Sequence, residues 1–177
     1  VQAGHHTQKF VCYPISRAHA ERGEALINWI CDLHVSDGAL PSREDWNKVG
    51  SLADFLPRFE RWNFGWLDVP EVIRTAHTIL EFPMIDRDPL PRWSHGRITL
   101  LGDAAHPMYP IGSNGASQAI LDGEALTQEL LAGGDPEAAL QRYEQRRLPP
   151  TARIVDSNRR KGIDIMLDIV ERRAPQG

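Results

Sequence analysis

The residues best able to do chemistry lie in RITLLGDAAHPMYPIGSNGASQAILDGEAL, residues 97–126. An apolar run ends in Gly102-Asp103, a loop of Gly, Pro, Ser and Asn follows, and helical spacing then begins. A helix start offers free N–H groups and a partial positive charge, which favour an anionic or electron-rich group. Gly112 and Gly115 let backbone approach a flat ligand closely. Ser113, Asn114 and Ser117 are candidate caps for the helix. Asp103 narrows the chemistry. A carboxylate repels a diphosphate but accepts hydrogen bonds from hydroxyls such as those of a ribose or ribitol. Ordinary turn chemistry, in which an Asp caps its own turn, accounts for the same residue types.

The elements that must position this loop follow from patterning. QKFVCYPI (8–15) and ALINWICDL (25–33) are rich in β-branched and aromatic residues and read as strands. Val11, Tyr13 and Ile15 share one face, as do Ile27, Trp29, Cys31 and Leu33. The nine residues SRAHAERGE join the two strands as a hairpin with a long loop. SREDWNKVG and SLADFLPRFERW read as helices, the second with a capping-box spacing from Ser51 to Asp54 and with Pro57 keeping it short. VPEVIRTA, after Asp68 and with Pro70 in its first turn, is another helix start. TILEFPMIDRD reads as strand, and Arg97–Leu101 as a short strand buried on both sides. Ala116, Ala119, Ile120, Gly123, Thr127, Leu130 and Leu131 recur at helical spacing. Gly133-Gly134 ends that helix, and Asp135-Pro136-Glu137 opens the next, which Pro149-Pro150 should interrupt.

Composition bounds the class. The chain has 177 residues, 41% hydrophobic and 25% charged, with a formal net charge of −4. That length suffices for one domain or two small lobes. The acidity argues against a nucleic-acid surface, and Arg159-Arg160-Lys161 reads as a solvated face. No apolar run reaches membrane-span length and no secretory leader is visible. Two cysteines, Cys12 and Cys31, point to free thiols in a reducing compartment, the cytoplasm. The start at Val1 and the end at ERRAPQG suggest a piece of a longer polypeptide.

The loop and its flanks resemble a known family. GRITLLGDAAHPMYPIGSNGASQAILDGEAL is similar to the second flavin-binding motif of the FAD-dependent aromatic hydroxylases, the group A flavoprotein monooxygenases of the para-hydroxybenzoate hydroxylase fold. The matching positions are Gly102-Asp103-Ala104-Ala105-His106, Pro110, Gly115 and Asp122. YEQRRLPPTARIVDSNRR and DRDPLPRWSHGRITLLGD are similar to the flanking segments. The GSNGAS loop and the QKFVCYPIS strand are closest to the phenazine-type hydroxylases.

The resemblance implies a mixed α+β and α/β chain holding part of that fold: substrate-lobe strands in residues 1–94, and the C-terminal part of the FAD lobe in 95–177. It implies FAD as cofactor, with Asp103 on the ribitol and Pro110, Gly112, Ser113, Asn114, Gly115 and Ala116 along the isoalloxazine, beside Gly102. Ser113 stands where many relatives have Gly, and Ser117 where many have Asn. NAD(P)H would reduce the flavin, and O2 would add to give a C4a-hydroperoxyflavin that hydroxylates a small aromatic substrate. No catalytic triad is expected. Tyr13 and Trp29, with Phe10 a weaker candidate, would wall the substrate pocket, although aromatics at such positions commonly serve a core.

The N-terminal Rossmann unit, with its G-x-G-x-x-G, has no counterpart, since no two glycines stand as G-x-G. The missing half is therefore an expected partner, and the isolated chain is expected to hold FAD weakly and not turn over. Two other readings compete. A metal site at His5, His6, His106 and Asp103 lacks any H-x-x-x-H spacing, so no metal is expected. A non-catalytic aromatic-binding or interaction module built on this fold is the main alternative.

Overall fold

The computed structural model of the chain describes residues 1–5, 7–33, 45–82, 84–160 and 164–173. These fall into two compact units: residues 1–83 with 167–177, and residues 84–166. The division falls between residues 83 and 84, and the described residues 167–173 group with the first unit. Residues 84–94 join the second unit because their contacts run to its helices.

In the first unit, β1 (Gln2–His5), β2 (Gln8–Pro14) and β3 (Ile27–Leu33) form an antiparallel sheet in the order β1-β2-β3. The expected hairpin is present, with Phe10 opposite Cys31 and Cys12 opposite Trp29. Its long connection carries a one-turn helix, α1 (Arg17–Ala20), capped by Ser16. Successive strand residues face opposite sides, and the core takes the even set. Phe10 and Cys12 are buried, whereas Tyr13 is 45% exposed. Helices α2 (Leu52–Phe59) and α3 (Val69–Arg74) supply Phe59, Val69 and Ile73 to the same core. Phe10 stacks on Trp29 with centroids 6.4 Å apart, and Trp29 meets Phe55 at 6.0 Å. Full burial of one such side chain is worth about 1.5–3 kcal/mol.

Local signals succeed and fail for physical reasons. Asp68 caps α3 by accepting from the Glu71 N–H at 2.9 Å. Ser51 starts α2 but makes no side-chain cap bond, so the capping box does not form. SREDWNKVG is not helical over its described residues 45–50, and residues 42–44 lie outside the described residues. Over its described residues, TILEFPMIDRD contributes one isolated bridge, Leu80 to Val49, and no strand, and Pro83 lies outside them.

The second unit is built on α4 (Gly115–Leu131) and α5 (Pro136–Arg160). Gly133 and Gly134, at φ 79° and 91°, make the turn between them. α5 runs through Pro149-Pro150 without a break, contrary to expectation. The Thr151 hydroxyl donates to the Arg147 and Leu148 carbonyls at 3.0 and 3.1 Å, which bonds backbone oxygens in the turn that holds the proline pair. The buried face of α4 is Gln118, Asp122 and Ala125. The apolar stripe read from sequence faces outward instead, with Ile120 73% and Leu131 82% exposed. A polar anchor, not an apolar stripe, decides which face of α4 turns in. Arg97 lies in a turn and Leu101 is extended, and Ile98 bridges only back to His95. With no neighbouring strand among the described residues, the expected buried strand is not formed.

A final helix, α6, spans Asp164–Arg173. Among the described residues, no helix is long and apolar enough to cross a membrane.

Candidate functional site

The Gly-Asp loop is fixed from beneath by one buried carboxylate. Asp122 is fully buried. Its Oδ2 accepts from the Gly102 N–H at 3.1 Å and from His106 Nε2 at 2.6 Å. Its Oδ1 accepts from Arg147 Nε at 2.7 Å. Arg147 Nη2 reaches on to Gln118 Oε1 at 2.7 Å. A buried charge is tolerated when paired and hydrogen-bonded, and here one carboxylate ties loop, α4 and α5 together. The His106 ring lies against Trp93, centroids 5.5 Å apart, and its Nδ1 is buried without a hydrogen-bond partner.

Gly102 has φ 59°, a region L-residues avoid. A Cβ there would also sit 3.3 Å from Ala119 Cβ. The chain then makes a 3-10 turn, Gly102–Ala104, with the Ala105 and His106 N–H groups bonded to the Gly102 carbonyl. Tyr143, on α5, donates from its hydroxyl to the Leu100 carbonyl at 3.1 Å. Burial, with Asp122 adding to it, raises the phenol's pKa. Glu144 accepts from the Trp93 and Ser94 N–H groups at 2.8 and 2.5 Å. The approach to the loop is therefore held along its length by α5.

Asp103 faces outward. Its carboxylate is exposed, with no hydrogen-bond partner among the described residues. One oxygen lies 3.8 Å from where a Cβ on Gly115 would be, which places it at the start of α4. That start carries no side-chain cap, because Asn114 occupies the cap position without a cap bond. Ser113 and Ser117 do not cap it either. The first α4 bond of the usual kind is Gln118 N–H to the Asn114 carbonyl. The N–H groups of Gly115, Ala116 and Ser117 are thus left to another acceptor.

Between these points Pro110–Gly112 form a second 3-10 turn, and Ser113 follows at φ 51°, ψ 29°. A serine in the left-handed region carries strain of about 1–2 kcal/mol, which explains why glycine suits this position. Gly102, Asp103, Pro110, Gly112, Ser113, Asn114, Gly115 and Ala116 are therefore gathered on one loop and helix start.

Tyr13 and Trp29 are not brought together. Trp29 lies in the layer beneath the sheet against Phe10 and Phe55, which makes it a core residue as placed. Tyr13 lies on the other face, its hydroxyl accepting from Asn28 at 3.0 Å. The strand register alone separates them, since Trp29 pairs with Cys12 and not with Tyr13.

Sequence reading missed Arg147, Gln118 and Asn158. Arg147 stood in a matched segment but carried no assigned role, and a buried Gln or Asn gives no periodic signal. Arg159 is not simply solvated. It clamps Asp86 at 2.5 Å and Asp88 at 2.6 Å, which raises its pKa further. Among the described residues no three His, Cys, Asp or Glu side chains gather as a metal site.

In its small sheet with helices and its Gly-Asp turn leading into a long helix, the chain is similar to part of proteins named as aromatic hydroxylases. Residues 81–158 match the model of the FAD binding domain family. The chain is 54% identical over 151 residues to phenazine 1,6-dicarboxylic acid hydroxylase PhzS of Lysobacter antibioticus, covering 85% of this chain and 37% of that protein. It is 52% identical over 71 residues to 3-hydroxybenzoate 6-hydroxylase 1 of Aquipseudomonas alcaligenes, or 40% of this chain and 18% of that one. Among solved structures it matches native FqzB at TM-score 0.66 and 27% identity, over 96% of this chain and 39% of that one. It matches CtdE in complex with FAD at TM-score 0.63 and 28% identity, over 78% and 37%. The chain thus spans little more than a third of PhzS and of these two structures.

Proposed function

We propose that the chain supplies the flavin-ring side of a FAD-dependent monooxygenase that hydroxylates a small aromatic compound with NAD(P)H and O2, in the cytoplasm. The carrying observation is Asp103, an exposed and unpartnered carboxylate beside an uncapped helix start, on a turn locked by Asp122. An acceptor without a partner suits a polyol chain. Free N–H groups at the start of α4 suit the oxygen-rich, charge-accepting edge of a reduced ring. Pro110, Gly112, Ser113, Asn114, Gly115 and Ala116 would lie along that ring, and Tyr13 would contribute to the substrate side. Bound FAD supplies the oxygen activation. The chain's own residues bind, orient and keep water from the reacting ring. Its partner would be a nucleotide-binding half bearing the G-x-G-x-x-G that has no counterpart in these 177 residues, so this chain by itself should hold FAD weakly and not turn over.

The test is flavin titration of the complete polypeptide containing these residues, unmodified and as Asp103→Ala and Asp103→Asn. Loss of a hydrogen bond to a charged acceptor predicts on the order of ten- to a hundredfold weaker binding. NAD(P)H oxidation with a panel of hydroxylated aromatic acids then reads turnover. Equal FAD affinity in all three proteins would overturn the assignment of Asp103. No flavin binding by the unmodified protein would overturn the enzyme reading and favour a non-catalytic module.

A further inference from the structure

We infer that Asn158, on α5, is a positioning residue for the ring-facing part of the loop, an inference that rests on the proposed function. Asn158 is 4% exposed. It ends the buried stripe Thr151, Val155, Asn158 on α5. A buried amide costs stability unless it is bonded. Its Nδ2 donates to the Tyr109 carbonyl at 3.3 Å, a bond to the loop and not to its own helix.

The other end of the carboxamide shapes the next turn. A Cβ at Gly112 would collide with Asn158 Oδ1 and lie 3.0 Å from Asn158 Cγ and 2.8 Å from Asn114 Nδ2. Gly112 is not among the residues at positive φ. It is glycine because Asn158 occupies its side-chain space, not because the backbone demands it. The carboxamide therefore grips the loop at Tyr109 and Gly112, on either side of Pro110. Directly afterwards the Ser113 N–H bonds the Pro110 carbonyl at 2.9 Å and the chain turns into α4. Asn158's contacts are with the loop backbone. It sets the path of the backbone that would lie along a bound ring.

The test uses the complete, flavin-loaded polypeptide with Asn158→Ala, the equal-sized Asn158→Asp, Gly112→Ala, and Gly112→Ala combined with Asn158→Ala. Asn158→Ala and Asn158→Asp should weaken FAD binding on the order of five- to tenfold and shift the visible flavin bands. Gly112→Ala should cost more, and adding Asn158→Ala should restore part of that loss, because contacting residues couple. Strictly additive losses, or an unchanged affinity and spectrum with only a lower Tm, would overturn the inference. An unmodified protein without flavin would mean that the proposed function has failed. The grip is then read separately, by amide exchange at Ser113 in the 177-residue chain. Faster exchange in Asn158→Asp supports the grip, and unchanged exchange overturns it.

Discussion

Asp122 Oδ2 lies 2.6 Å from His106 Nε2, and neither side chain reaches solvent. The histidine belongs to the loop and the aspartate to the middle of α4, so this contact joins the segment that carries Asp103 to the helix whose start would face the same ligand. Arg147 and the Gly102 N–H complete the carboxylate's partners.

Removing that carboxylate should be severe. Asp122→Asn keeps the size but leaves the Arg147 guanidinium, 10% exposed, without its counter-charge. Breaking one side of a buried pair costs about 3–5 kcal/mol. Denaturant unfolding of the chain should show a loss of that order, and a loss below about 1 kcal/mol would mean that the network is incidental.

Ser113→Gly should stabilise. The left-handed conformation costs a serine about 1–2 kcal/mol, and glycine gives back part of this through its freer unfolded state. A net gain of about 0.5–1 kcal/mol in unfolding free energy is expected. A loss would show that the Ser113 hydroxyl does something the strain conceals.

Cys31 gives a pH dependence with a definite sign. Burial pushes its thiol from 9.0 up to about 12. Between those values the unfolded chain has released the proton and the folded chain has not, so deprotonation favours unfolding. Stability from this group is complete below pH 9 and is lost as pH rises toward 12. Denaturation midpoints measured through this range should fall in the unmodified chain and fall less steeply in Cys31→Ala. Near neutral pH the thiol should react slowly with a thiolate-seeking reagent.

Tyr143→Phe removes the hydroxyl that donates to the Leu100 carbonyl. Loss of this half-buried hydrogen bond should cost about 0.5–1.5 kcal/mol. The same substitution should loosen the extended run before Gly102, seen as faster amide exchange in residues 98–102. Unchanged exchange there would place the whole effect within α5.

Local chemistry made much of this legible. Asp68, Pro70, Gly133-Gly134 and the alternation in QKFVCYPI each state their element in a few residues, and the Gly-Asp loop carried the resemblance. What sequence could not carry was long-range. Ser51 and Asp54 have capping-box spacing, yet tertiary packing set the start of α2. Ile120 and Leu131 marked the helix by their spacing but not which face turns in, which Asp122 fixed through Arg147, 25 residues away. Asn158 and Gly112 are coupled across 46 positions, and neither residue type marks the other in a single sequence.

α5 is a single rod of 25 residues, about 37 Å at 1.5 Å per residue, and it works as a ruler. Glu144, Arg147, Asn158 and Arg159 meet four separate stretches of the remaining unit at fixed marks along it. One residue inserted between Arg147 and Asn158 would swing every later mark by about 100°, turning Asn158 away from Tyr109 while Arg147 stayed in place. Length changes are therefore barred within this helix but tolerable at the exposed Gly133-Gly134 bend, so the spacing of these four side chains is itself a constraint on any sequence that keeps the loop.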